Sequence, residues 1–98
     1  MNYTKQQRME IAEAFRAARK IVDSGAEDFI CCALQISDAR YSIEARHIIS
    51  SRIKPYGTLN AWVERNYKPS KSHSYKNGRQ MRLYRLRWLD ALIKEFSE

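Results

Sequence analysis

Ninety-eight residues suffice for one domain with one modest core. With 44% hydrophobic and 30% charged residues, the composition excludes a largely disordered chain. A formal net charge of +7 favours an anionic partner, and no apolar run approaches the roughly 20 residues of a membrane span.

Met1 leads into the polar run NYTKQQR, which lacks the character of a secretory signal, so a cytoplasmic protein without membrane association is expected. The first predicted helix starts at Thr4. Thr4 and Gln7 have capping-box spacing, in which each side chain satisfies a free backbone N–H of the first turn. Ile11, Ala12, Phe15, Ala18 and Val22 then form one apolar stripe. Gly25 ends the helix, because glycine takes the left-handed C′ conformation without a Cβ clash.

A second, short helix is expected around Glu27–Ile36, with Phe29, Ile30, Ala33, Leu34 and Ile36 mostly buried. It contains Cys31 and Cys32. Neighbours in a helix point about 100° apart, a poor geometry for a disulfide within the pair. The cysteines fit a reducing compartment, and one or both are read as small core hydrophobes, with a redox or metal role as the alternative. A vicinal pair with no histidine nearby is not a zinc pattern, and no other metal-ligand spacing occurs, so no metal or cofactor is expected.

The third helix starts near Ser42, carries Ala45, Ile48, Ile49 and Ile53, and ends at Pro55, which disfavours helical geometry in the residue before it. YGTLNAWVERN reads as the start of a fourth. Gly57 allows the turn, Thr58 can cap, and Leu59, Trp62 and Val63 face inward. A basic loop at about 67–78 follows, marked by Pro69, three serines, Asn77 and Gly78. The fifth helix runs from Asn77–Arg79 to about Phe96, with Trp88, Leu89, Leu92, Ile93 and Phe96 as its core stripe. Three glycines and two prolines are too few for a β-sandwich. The expected fold is all-α, a single small domain of four to five helices spanning residues 1–98.

The charge is concentrated in the last third. Arg65, Lys68, Lys71, Lys76, Arg79, Arg82, Arg85 and Arg87 have no Asp or Glu among them, while the rest of the chain, with ten basic and eleven acidic residues, is nearly neutral. Such segregation points to nucleic acid, a nucleotide or an acidic protein surface. Within it, Arg82 and Arg85 fall on the same helical face as Leu89, Leu92 and Phe96. Two readings follow. They pair with carboxylates of neighbouring helices (Glu10, Glu13, Asp23 or Glu44) or cover the core edge with their stems. Alternatively they line a concave site, where the planar guanidinium binds phosphate bidentately. The candidate anion-binding set is Arg65, Lys71, Lys76, Arg79, Arg82, Arg85 and Arg87, with Tyr75 and Tyr84 offering ring faces to bases. Gly57 and Thr58, at a helix start, form a candidate N-terminal anion site.

No reaction is expected. His47 lies in the third helix. His73, beside Lys71 and Lys76 in the loop, is the one candidate general base and has no placed partner. There is no P-loop. A basic fifth helix after a short fourth has helix-turn-helix order, but the loop is too long for that motif.

YGTLNAWV at Tyr56–Val63 and YRLRWLDALIKEFSE at Tyr84–Glu98 resemble the TLxxWL-like and RxxWLDxLI-like motifs of small uncharacterised proteins from tailed-phage and prophage accessory regions. The resemblance covers some 40 residues, and EDFICCAL at Glu27–Leu34 extends it. It implies a non-enzymatic accessory protein of the bacterial host cytoplasm that counters a bacterial defence or host factor; the segregated charge adds that it would do so by engaging an anionic target through its basic surface. That target would be a nucleotide signal, a nucleic acid or a nucleic-acid enzyme. Thr58, Leu59, Trp62, Trp88, Leu89 and Leu92 in those motifs read as cap and core, and the basic loop has no counterpart in them. The alternatives are a sequence-independent DNA- or RNA-binding factor and an interaction module for an acidic protein. A homo-oligomer is also compatible with two tryptophans and six tyrosines in so short a chain.

Overall fold

The computed structural model describes residues 3–36, 41–53, 58–67 and 78–97. They form five helices: α1 (Lys5–Ser24), α2 (Ile30–Ile36), α3 (Ile43–Ile53), α4 (Thr58–Tyr67) and α5 (Gly78–Ser97). No strand occurs among the described residues, so the all-α expectation holds.

α1 begins and ends as its sequence dictates. Gln7 N–H donates to Thr4 Oγ1 and Thr4 N–H to Gln7 Oε1, each at 3.0 Å, which closes the capping box. Gly25 has φ 81° and donates its N–H to Val22 O at 3.1 Å. Between these ends Ile11, Ala12, Phe15, Ala18 and Val22 are buried, as is Ala14.

α1 and α5 are the central antiparallel pair. Arg8 near the start of α1 donates to Glu95 O near the end of α5 (2.6 Å). Midway, Arg19 donates to Asp90 (2.5 Å), and past the end of α1 the Arg82 guanidinium lies beside Gly25. Phe15 and Phe96 meet between the two helices with ring centroids 6.1 Å apart. Burial of each large side chain in this seam contributes about 1.5–3 kcal/mol. Cations also close the C-terminal end of α5, where the helix dipole is negative. Arg8 takes the Glu95 carbonyl and Arg52 of α3 the Glu95 carboxylate (2.5 Å), and both guanidiniums lie about 6 Å from the Phe96 ring centre.

α2 is shorter than expected. The Glu27 carboxylate accepts the N–H groups of Asp28 and Phe29 at 3.0 and 3.2 Å, and residues 27–29 stay outside the helix. The first helical bond is Ala33 N–H to Phe29 O at 2.9 Å. Ile30, Ala33 and Leu34 are buried, but Phe29 and Ile36 are 59% and 56% exposed, contrary to the sequence reading. Seven residues present only one narrow stripe to α1, and Phe29 and Ile36 lie off it. Cys31 is exposed and Cys32 half-buried, both as free thiols, so neither is a fully buried core residue.

α3 is capped by Ser42, whose hydroxyl accepts Ala45 N–H at 3.2 Å. The Ser42 N–H donates to Glu10 Oε2 of α1 at 3.0 Å and ties the start of α3 to α1. Ala45 and Ile49 are buried, with Ile48 and Ile53 packed at the core edge. Pro55 lies outside the described residues. In α4, Val63 is fully buried while Leu59 and Trp62 pack against the core from its edge.

Candidate anion-binding surface

α5 carries both the core stripe and the basic residues. Trp88, Leu89, Leu92 and Phe96 are buried in its C-terminal half. One and two turns nearer its start, the same face presents Arg85 and Arg82. Arg82 Nη2 donates to Asp28 Oδ1 at 2.9 Å. A Cβ built on Gly25 would lie 3.6 Å from Arg82 Nη2, so the guanidinium rests over the C-terminal end of α1, where a cation meets the negative end of the helix dipole. Arg82 Nε is buried and makes no hydrogen bond. The Arg85 guanidinium carbon sits 5.0 Å from the centre of the Phe29 ring. Burial lowers the pKa of Arg85, the Asp28 carboxylate raises it and neighbouring Arg82 lowers it further.

Both arginines are therefore engaged within the chain. The partners are Asp28 and Phe29 in the segment after α1, not Glu10, Glu13, Asp23 or Glu44. Glu10 instead holds Ser42, and Glu13 lies 3.8 Å from Arg16. Asp23 adds charge stabilisation to Arg19, whose pKa is raised chiefly by its hydrogen bond to Asp90.

The other candidates divide cleanly. Arg65 on α4 and Arg79 and Arg87 on α5 are exposed, and none of them belongs to an ion pair among the described residues. On α5, Arg79, Leu83 and Arg87 recur every four residues and form one outward strip, with Leu83 43% exposed between the two arginines. Tyr84 is only 4% exposed, so its ring faces are closed to a ligand, contrary to the stacking role expected of it. It packs on Tyr67, centroid to centroid 5.1 Å, and Tyr67 packs edge-on against Trp62 at 5.6 Å. Thr58 is the first residue of α4. Gly57, Lys71, His73, Tyr75 and Lys76 lie outside the described residues.

Sequence reasoning passed over Tyr67. It stands four residues after Val63 and so continues the inward stripe of α4, yet 45% of its surface is open. An aromatic that extends a core stripe to the last residue of a helix, directly before Lys68 and Pro69, was the available signal.

An open groove of about 630 Å³ lies at the opposite end of the α1–α5 pair from Arg82, lined by Tyr3, Lys5, Arg8, Met9, Phe96 and Ser97 among others. Its arginines are already committed, Arg8 to Glu95 O and Arg16 to Ser97 Oγ (2.9 Å). The groove is thus separate from the basic strip. His47 is exposed on α3. Burial and a hydrogen bond to Cys31 raise the pKa of the Cys32 thiol, which keeps it protonated and weakly nucleophilic near neutral pH. No cluster of three or more His, Cys, Asp or Glu that would hold a metal occurs among the described residues, nor is any helix there long and apolar enough to cross a membrane.

No protein-family model, no curated protein and no solved structure matches the chain.

Proposed function

We propose that this protein is a non-enzymatic module that binds nucleic acid by its phosphates, without reading sequence, through the surface carrying Arg65, Arg79 and Arg87. The observation that carries this reading is charge segregation. Eight basic residues and no acidic one fall between Glu64 and Asp90, and the exposed arginines of that stretch stand outside every ion pair of the described residues. Arg82 and Arg85 serve the fold here and not the ligand. A nucleotide-sized pocket built from Arg82, Arg85 and Tyr84 has less support, because the first two are engaged by Asp28 and Phe29 and the third is buried.

The motif resemblance suggests the setting. A phage accessory protein of this type would counter a bacterial defence or host factor by occupying nucleic acid that the host machinery uses. An acidic protein surface is the competing partner class, and steering by the same arginines would serve it too.

The test is a salt titration of binding to DNA and RNA oligonucleotides. Binding through phosphates requires log K to fall linearly with log salt concentration, by about 0.9 for each duplex phosphate neutralised. Absent or salt-insensitive binding would refute the proposal.

A further inference from the structure

We infer that Tyr67 is a base-stacking platform and that the ligand of this surface is single-stranded nucleic acid in preference to duplex. This rests on the phosphate-binding reading above and deepens it.

Phosphate contacts alone do not distinguish a single strand from a duplex, whereas an accessible ring does, because only unpaired bases offer it a face. Tyr67, in the α4–α5 seam, has such a surface: it is 45% exposed, while its neighbour Tyr84 is 4% exposed. Its ring is also held in place. Tyr84 packs on it at 5.1 Å and Trp62 meets it edge-on at 5.6 Å, so little rotamer freedom remains to be lost when a base stacks. Tyr84 anchors it to the basic helix. Arg87, exposed and one turn on from Tyr84 along α5, would supply the charge for a phosphate near a stacked base.

The experiment compares a fluorescein-labelled 15-nucleotide oligo(dT) with a duplex of the same length, by anisotropy at fixed salt, using the full chain. Tyr67→Ala is expected to weaken oligo(dT) binding at least about fivefold and duplex binding less than twofold, given what one stacked base contributes. Tyr67→Phe, which keeps the ring, should retain oligo(dT) affinity. Ultraviolet cross-linking of the unaltered protein to oligo(dT) provides a readout independent of any folding defect, and the cross-linked peptide is expected to contain Tyr67. Equal losses on both ligands, unchanged oligo(dT) binding by Tyr67→Ala, or cross-links confined to other peptides would overturn the stacking assignment and leave phosphate binding intact. Failure of the unaltered protein to bind either ligand would overturn both.

Discussion

Arg82 Nη2 donates to Asp28 Oδ1 at 2.9 Å, and this contact ties the basic half of α5 to the segment that leaves α1. Of the two readings open for Arg82 in the sequence, internal pairing or a ligand site, it supports the first, with Asp28 as the partner. The side chains remain 41% and 54% exposed, so water screens the pair. A double-mutant cycle with Arg82→Ala and Asp28→Ala, read by urea unfolding, is expected to give a coupling of about 0.2–1 kcal/mol. A coupling of zero would mean that the two groups do not meet in solution.

Arg85 makes a different kind of contact, over the face of Phe29. Phe29 is largely exposed, so Phe29→Ala is expected to cost about 1 kcal/mol, most of it the lost cation–π contact. The fully buried Phe15 provides the contrast, with about 3–5 kcal/mol lost in Phe15→Ala. Unfolding curves of the two variants check the difference, and equal losses would place Phe29 in the core after all.

Glu10 gives the fold a dependence on acid. Its pKa is lowered from 4.5, first by the Ser42 backbone N–H, then by the side chains of Gln6 and Ser42. A carboxylate with a depressed folded-state pKa stabilises fully above its unfolded value. That contribution is lost as pH falls through the folded one. Melting temperature should therefore drop below about pH 4.5, in step with loosening of the α1–α3 link, and Glu10→Gln should remove part of that drop. A parallel pH profile for the variant would contradict the assignment.

Gly25 ends α1 at φ 81°, where a Cβ is strained whatever the space around it. Gly25→Ala is expected to cost about 1 kcal/mol and Gly25→Asn less, since asparagine tolerates the left-handed region better. Thermal melts of both variants would show the order, and a stabilising alanine would exclude the left-handed cap.

These contacts also show what could be read from the residues alone. The capping box at Thr4, the stop at Gly25 and the stripes of α1 and α5 follow from interactions within a few residues, and all were legible. The partner of Arg82 was not, because Asp28 belongs to a segment whose course depends on how Glu27 collects the next two amides and shortens α2. The same shortening leaves Phe29 and Ile36 outside, where periodicity alone would bury them. Nor does the sequence show that Tyr84 is covered while Tyr67 stays exposed. Helical spacing marks each as facing α4 or α5, but which ring is covered depends on how the two helices pack. Segregation of charge was plain in the sequence. Its division into framework arginines (Arg82, Arg85) and outward ones (Arg65, Arg79, Arg87) required the packing of that segment against α5.

That division is tested most directly by the salt dependence of oligonucleotide binding in two variants of matched charge loss. Arg65→Gln combined with Arg87→Gln removes two outward charges and is expected to lower the slope of log K against log salt concentration by about 1 for each arginine. Arg82→Gln combined with Arg85→Gln removes two framework charges and should leave the slope nearly unchanged while lowering stability. The opposite pattern, with the slope carried by Arg82 and Arg85, would contradict the account.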